Sequence, residues 1–113
     1  PNKEFVDTST EESLADLYFF SAEWCPYSKK AKPIWSKVKN KFDGKKINNT
    51  SLRFIEIDGE KNEKEIENFE SKFLNGKKIE GYPSIFMVKN DQVIEYEAKP
   101  NVEILKEFIE SVL

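Results

Sequence analysis

A single cysteine carries most of the chemistry available to this sequence. Cys25 lies in the stretch "SAEWCPYSKKAKP" at 21–33, between an apolar run and a segment with helical periodicity. The N-terminus of a helix presents unpaired backbone N–H groups and partial positive charge, both of which favour thiolate over thiol. Lys29 and Lys30 could add to the same field. Because the thiolate is the nucleophilic form, we predict a reactive Cys25 with a lowered pKa.

The residues around Cys25 also bear on a plainer interpretation, in which it is a small buried hydrophobic residue, as lone free cysteines usually are. Pro26 suits the first turn of a helix, where its missing N–H would be unpaired anyway. This proline, the cap-like position and the polar neighbours favour an exposed Cys25. Ser28 stands three residues later. Its hydroxyl can hydrogen-bond to the sulfur, but it cannot attack a disulfide as a thiolate does.

The rest of the composition excludes several kinds of catalytic site. The chain has 113 residues, no histidine and one cysteine. There is therefore no Cys-His dyad, Ser-His-Asp triad, His-ligated metal site, internal disulfide framework or cysteine zinc cluster, and we expect no metal. A net charge of −3 and a single arginine, Arg53, argue against nucleic-acid binding.

The apolar runs of the sequence are short. None reaches the length needed to span a bilayer, and no signal-peptide pattern begins at Pro1. We therefore expect no membrane association and a cytoplasmic or otherwise intracellular protein, although a signal peptide that had been removed would leave no trace. The length suits one domain over residues 1–113, with 1–4 loosely held.

Hydrophobic patterning places Cys25 between the first strand and the first helix of an alternating chain. Strands are predicted at 17–22, 51–58, 84–89 and 92–97, the last two flanking a tight turn at Asn90-Asp91. Helices are predicted from Pro26 to the Asp43-Gly44 stop, over 61–74 and after Pro100-Asn101, with a short turn at 8–13. Strands separated by helices pair in parallel, and the hairpin adds an antiparallel edge. The sequence thus predicts an α/β fold with a mixed central sheet and helices on both faces.

Two stretches of the sequence resemble the signatures of the thioredoxin family. "FFSAEWCPYSKKAKP" is similar to its active-site region, with Pro33 at the family's position eight residues after the cysteine. "GYPSIFMVKNDQVIEYE" at 81–97 resembles the second signature, a cis-proline before a hairpin. The likeness covers residues 15–113 and implies the thioredoxin fold, with a cis Tyr82-Pro83 bond beside Cys25.

The resemblance implies a mechanism and a set of site residues. Cys25 would attack a substrate disulfide and form a mixed disulfide with the substrate protein. Pro83 would shape a groove in which the Tyr82 backbone pairs with an extended substrate chain. Aromatic side chains beside the cysteine would supply exposed apolar surface for that chain. The implied substrate-binding residues are Trp24, Pro26, Tyr27, Tyr82 and Pro83.

The inner stretch "CPYSKKAK" is more similar to glutaredoxins, whose motif is typically C-P-Y-C followed by basic residues. That resemblance makes glutathione a candidate co-substrate, and no other cofactor is implied. Glutaredoxins seat the glutamyl end of glutathione with a Gly-Gly turn after the hairpin. "EYEAKPN" occupies this place in the present chain, so a glutathione-dependent monothiol role is the weaker alternative.

The chain departs from the thioredoxin pattern at three positions. The buried Asp that many thioredoxins carry six residues before the nucleophile is replaced by Phe19, and its lysine partner corresponds to Phe54. Replacing both members of a buried ion pair is coherent, because one unpaired buried charge would cost on the order of 3–5 kcal/mol. The replacement argues against a fast, ordinary thioredoxin cycle. The resolving cysteine, which normally releases the substrate, is Ser28.

Ser28 leaves two explanations open. Either the protein is naturally monothiol and releases its substrate through glutathione or another thiol, or Ser28 is an engineered Cys→Ser change that traps the mixed disulfide. The intact remainder of the motif slightly favours the second explanation. In either case Cys25 should accumulate adducts, including a Cys25–Cys25 homodimer under oxidising conditions.

Two functions of other classes stay open beside the oxidoreductase. One is a binding or adaptor module that keeps the groove without turnover. The other is a purely structural thioredoxin-like domain of a larger assembly. The enzyme hypothesis predicts a lowered Cys25 pKa and activity in Ser28→Cys, whereas the binding hypothesis predicts that partners are retained after Cys25→Ala.

Overall fold

A computed structural model describes residues 13–113, in which five strands form one mixed sheet and three helices cover it. Along the chain the elements are β1 (Ser13–Ser21), α1 (Pro26–Phe42), β2 (Lys46–Ile47), β3 (Thr50–Asp58), α2 (Glu63–Phe73), β4 (Ser84–Lys89), β5 (Gln92–Glu95) and α3 (Val102–Val112). The strands lie in the order β2-β3-β1-β4-β5, with β1 parallel to β3 and antiparallel to β4. The predicted α/β class with a mixed sheet is confirmed.

The second half of the central strand β1 is covered on both faces, which explains its continuous apolar run. Successive side chains of a strand point to opposite faces of the sheet. Leu17 and Phe19 therefore enter the core cluster formed with α1 and α3, whereas Phe20 enters the second core cluster, formed with α2. Helices consequently lie on both faces of the sheet, as predicted.

The start of β1 differs from the prediction. The strand begins at Ser13 rather than at residue 17. Its first part alternates between buried and less buried positions, so it lacks the continuous apolar run on which the prediction rested. The turn predicted at 8–13 lies outside the described residues except for Ser13, which belongs to the strand.

Two hairpins border the sheet, one predicted and one not. β4 and β5 are joined by Asn90-Asp91, whose φ values are 53° and 62°, which confirms the predicted tight turn. β2 was not predicted, and it pairs antiparallel with β3 across Asn48-Asn49, with φ values of 50° and 64°. Asparagine and aspartate tolerate this left-handed region better than most residues, and two-residue hairpin turns require it. A strand of two residues is too short to show an alternating pattern.

The three helices carry local signals at their ends. α1 runs through Pro33 and ends at Phe42, and its C-cap Asp43 is followed by Gly44 with φ of 75°, where the stop was predicted. α3 begins after Asn101, whose side chain accepts hydrogen bonds from the N–H groups of Glu103 and Ile104. Among residues 13–113, no helix combines the length and the apolar character that crossing a membrane requires.

Candidate active site

Cys25 is the N-cap residue of α1, in extended backbone conformation with φ of −90° and ψ of 118°. Its N–H donates to the Ala22 carbonyl at 3.0 Å, and its own carbonyl accepts from the Lys29 N–H at 3.2 Å. Pro26 occupies the first position of the helix, as the sequence predicts. The turn between β1 and α1 thus holds the sulfur at the N-terminus of a long helix.

The predicted exposure of Cys25 is wrong, because only 7% of the residue is accessible. Its neighbours do face solvent: Trp24 is 66% exposed, Tyr27 is 70% exposed, and Pro26 is exposed as well. Cys25 itself lies against a distant loop, and its Sγ donates to the Tyr82 carbonyl oxygen at 3.4 Å. Tyr82 lies 57 positions further along the chain, so the polar neighbours of Cys25 in the sequence could not reveal that it covers the sulfur.

Hydrogen-bond donors of the first turn of α1 lower the pKa of the Cys25 thiol. The backbone N–H of Ser28 is the strongest of them, and burial opposes it by favouring the neutral thiol. The backbone N–H of Tyr27 and the Ser28 hydroxyl lower the pKa further. The predicted direction of the shift agrees with this geometry. Its causes are local N–H and O–H groups rather than the side chains of Lys29 and Lys30.

Ser28 is buried completely, with no accessible surface, at the base of the site. Its Oγ accepts a hydrogen bond from the Ala22 N–H at 3.1 Å. Because the hydroxyl accepts from Ala22, its own proton is free to be donated toward the Cys25 sulfur. Sequence reasoning predicted the contact with sulfur but missed the bond to Ala22, which ties the first turn of α1 to the end of β1.

The loop before β4 supplies the opposite wall of the site. The Tyr82-Pro83 peptide bond is cis, and both residues are half-buried. The Tyr82 carbonyl is the atom that approaches the Cys25 sulfur. The structure therefore brings Cys25, Ser28, Tyr82 and Pro83 to one place, at the end of β1 where α1 begins.

The side chain of Tyr82 does not join Trp24 and Tyr27 on an open apolar surface. Its ring packs against the second core cluster and over Gly59. Burial raises the pKa of the Tyr82 hydroxyl, and the carboxylates of Glu70 and Asp58 raise it further. The sequence indicated only that Asp58-Gly59 stops a strand, and it gave no signal for this contact between distant residues.

Aromatic side chains fill the space where the family pattern carries a buried ion pair. Phe19 stacks on Trp35 with 4.9 Å between ring centroids, and Trp35 meets Phe54 edge-on at 5.0 Å. All three residues are buried in the first core cluster. The apolar character that the sequence predicts for both positions is matched by close ring packing.

No group of three or more potential metal ligands occurs among residues 13–113. The donors converging on the Cys25 sulfur are instead two backbone N–H groups and one hydroxyl. Such groups suit an anionic sulfur rather than a cation. The arrangement can hold a thiolate and present it beside a backbone carbonyl.

Comparisons with known proteins agree with this geometry. The family model named Thioredoxin matches residues 2–111. Human ERp44 superposes with a TM-score of 0.69 at 18% identity, covering 98% of this chain and 31% of that chain. The first thioredoxin domain of mouse protein disulfide-isomerase A4 gives a TM-score of 0.64 at 22% identity, covering 87% of this chain and 62% of that one. A malarial protein gives 0.64 at 18% identity, covering 88% and 98% respectively.

The fold and the site define an α/β protein with a cysteine at a helix N-terminus opposite a cis-proline. Since the family match extends over nearly the whole length, the chain belongs to the thioredoxin family. The solved structures share the fold at low sequence identity, and the chain spans less than a third of human ERp44. Family membership supports a thiol–disulfide oxidoreductase or a related role.

Proposed function

We propose that this protein is a thiol–disulfide oxidoreductase that attacks disulfides of other proteins through Cys25. The observation that carries the proposal is the Cys25 sulfur at the N-terminus of α1, with a lowered pKa and the Tyr82 carbonyl 3.4 Å away. The thiolate attacks one sulfur of the substrate disulfide, so a new S–S bond forms and the substrate S–S bond breaks. The departing substrate sulfur leaves as a thiolate and takes a proton from water. Cys25 is oxidised and one substrate cysteine is reduced.

The second half of the exchange requires a thiol from outside the chain. Ser28 stands in the resolving position, and its hydroxyl does not ionise near neutral pH as a thiol does. An external thiol, glutathione or a cysteine of another protein, attacks the mixed disulfide and returns Cys25 to its thiolate. Without such a thiol, Cys25 keeps its adduct or forms a disulfide with Cys25 of a second copy. Both origins of Ser28, natural or an engineered Cys→Ser change, agree with this chemistry.

The substrate is an extended protein segment. Trp24 and Tyr27 present large exposed aromatic surfaces on either side of Cys25, and Pro26 is exposed between them. Aromatic side chains of this kind supply binding area at low entropic cost. The backbone of Tyr82 beside Pro83 pairs with the segment as a short β-strand would, which positions the substrate disulfide over the sulfur.

A binding module without turnover is the second candidate, and the buried Ser28 favours it. The chain has no resolving thiol of its own, and Trp24, Tyr27 and the Tyr82 backbone could hold a partner without a covalent bond. The two candidates differ in whether Cys25 is needed for partner retention. Partner retention by Cys25→Ala would support the binding module over the oxidoreductase.

The test uses the whole chain and a peptide that carries one disulfide. We expect the protein to form a covalent adduct on Cys25, measured by intact mass, and glutathione to release it. Cys25→Ala should form none, and Ser28→Cys should release the peptide without added thiol. Ser36→Ala, at an exposed serine of α1, is the matched control and should form and retain the adduct like the parent. If the parent forms no more adduct than Cys25→Ala, the oxidoreductase proposal is wrong.

A further inference from the structure

Gly59 lies outside the active-site motif but against the ring of Tyr82. The carbonyl of that same tyrosine accepts a hydrogen bond from Cys25. A Cβ atom added to Gly59 would lie 2.6 Å from Tyr82 Cζ and 2.7 Å from Tyr82 Oη, closer than real Cβ atoms approach their neighbours. The φ of Gly59 lies outside the left-handed region, so the requirement for glycine is steric rather than conformational. A side chain at position 59 would therefore require the Tyr82 ring to shift.

Gly59 itself is held firmly. It follows β3 directly, and its N–H donates to the carbonyl of Ser21 at 2.6 Å. Ser21 is the last residue of β1, and the next residue, Ala22, accepts from the N–H of Cys25. The surface beneath the Tyr82 ring is therefore tied to the strand that leads into the active-site turn. The backbone of Gly59 is therefore not free to move away and relieve the contact between an added side chain and the Tyr82 ring.

The half-buried ring of Tyr82 also contacts the core. It packs against the second core cluster, to which Phe69 and Phe86 belong. Its hydroxyl lies close enough to Glu70 and Asp58 for both carboxylates to act on it. Because Gly59 and the core both contact the half-buried ring, we expect a displacement of the ring to shift the main chain of Tyr82, whose carbonyl accepts from Cys25.

We propose that Gly59 is a positioning residue which, by seating the Tyr82 ring, sets the place of the Tyr82 carbonyl relative to the Cys25 sulfur. The inference rests on the proposed function, since that carbonyl belongs to the backbone that pairs with the substrate. Two consequences follow from its position. Donation from the thiol to the carbonyl stabilises the protonated form and so restrains ionisation. A substrate strand aligned on the same carbonyl brings its disulfide to the sulfur.

The test compares two disulfides that release the same coloured product, dithiodipyridine and a peptide whose single cysteine is linked to thiopyridine. In Gly59→Ala we expect the Cys25 pKa to fall, because the thiol loses its acceptor. Reaction with dithiodipyridine should be unchanged or faster below that pKa. Reaction with the peptide, relative to dithiodipyridine, should fall by about three- to tenfold, the factor that one net hydrogen bond is worth. A general loss of structure would instead raise the Cys25 pKa toward the value of about 8.5 that cysteine has in an unfolded chain.

Gly81→Ala is the matched control, because a Cβ atom at Gly81 meets nothing within 4 Å although the residue adjoins Tyr82. It should leave both the pKa and the rate ratio as in the parent. Tyr82→Leu removes the ring atoms that the new Cβ would meet, so Gly59→Ala should add no further effect in that background. Should Gly59→Ala fail to fold, Tyr82→Leu alone must show the lowered pKa and the reduced rate ratio.

The outcomes separate this inference from the proposed function. If the parent reacts with the peptide and Gly59→Ala matches Gly81→Ala in pKa and rate ratio, the positioning role is refuted and the function stands. Additive effects of Gly59→Ala and Tyr82→Leu would also refute it. If the parent does not react with the peptide, the proposed function fails. The Cys25 pKa, measured from the pH dependence of alkylation by iodoacetamide, still tests whether Gly59 sets the carbonyl.

Discussion

Ser28→Ala removes a hydroxyl that two groups of the active site use. The Ser28 Oγ accepts from the Ala22 N–H at 3.1 Å, and both residues are buried. Without it the Ala22 N–H is left buried and unpaired, which costs about 1–3 kcal/mol of the free energy of unfolding. The hydroxyl also lowers the pKa of Cys25, so the pKa should rise. The rise should be partial, because the backbone N–H of Ser28 is the strongest cause of the lowering and remains in place.

Urea unfolding and alkylation measure the two effects separately. Unfolding under reducing conditions gives the change in stability, and the rate of iodoacetamide alkylation against pH gives the Cys25 pKa. Cys25 is the only cysteine, so every adduct reports on that one sulfur. Ser36→Ala changes an exposed serine of the same helix and gains the same helix propensity. The difference between the two variants therefore isolates the buried hydrogen bonds.

Two results would refute these expectations. One is a Ser28→Ala variant as stable as Ser36→Ala, which would mean that the Ala22 N–H had found another partner. The other is a Cys25 pKa that is unchanged or lower in Ser28→Ala, which would mean that the hydroxyl does not donate to the sulfur. Either result would also leave the complete burial of Ser28 without a physical cause.

Three further predictions concern stability. The Cys25 pKa is lower in the folded than in the unfolded chain, where it is about 8.5. The thiolate therefore adds stability that is fully present above the unfolded pKa and is lost as the pH falls through the folded pKa. In reducing buffer Cys25→Ala should thus lose more stability at about pH 9.5 than at about pH 6, and an equal loss at both would contradict this. Trp35→Phe should cost less than about 2 kcal/mol in urea unfolding, because removal of the buried Nε1–H, which has no partner among residues 13–113, offsets the cavity; a cost above about 4 kcal/mol would contradict that account. Asn101→Ala should cost about 1 kcal/mol through loss of the α3 cap, and it would be contradicted by a cost no larger than that of Asn40→Ala, at an exposed position of α1.

Local sequence signals predicted the elements that carry the site. Pro26 marked the start of α1, and the Asn90-Asp91 pair marked the β4–β5 turn, because both depend on the conformational preferences of a few adjacent residues. The apolar run at 17–22 indicated the covered part of β1 for a similar reason. Its first residues escaped prediction because a strand that is covered on one face only has no continuous apolar run.

Contacts between distant residues explain what the sequence did not reveal. The burial of Cys25 depends on Tyr82, and the need for glycine at position 59 depends on the ring of that same residue. A single sequence contains no measure of such distances, so the neighbours of Cys25 suggested an exposure that Trp24, Pro26 and Tyr27 possess and Cys25 does not. The Cys25 thiol is thus buried beside the exposed aromatic side chains of Trp24 and Tyr27.

The aromatic packing at positions 19, 35 and 54 and the serine at position 28 both concern the release step of the proposed exchange reaction. Phe19, Trp35 and Phe54 are close-packed where the family resemblance places a carboxylate that accepts the proton of a resolving thiol. Because position 28 is a serine, the chain has no resolving thiol whose proton such a carboxylate would accept. Attack by Cys25 needs neither group, since the N–H donors at the start of α1 hold the thiolate. Under the proposed function, the site therefore keeps what the formation of a mixed disulfide requires, and an external thiol supplies what its release requires.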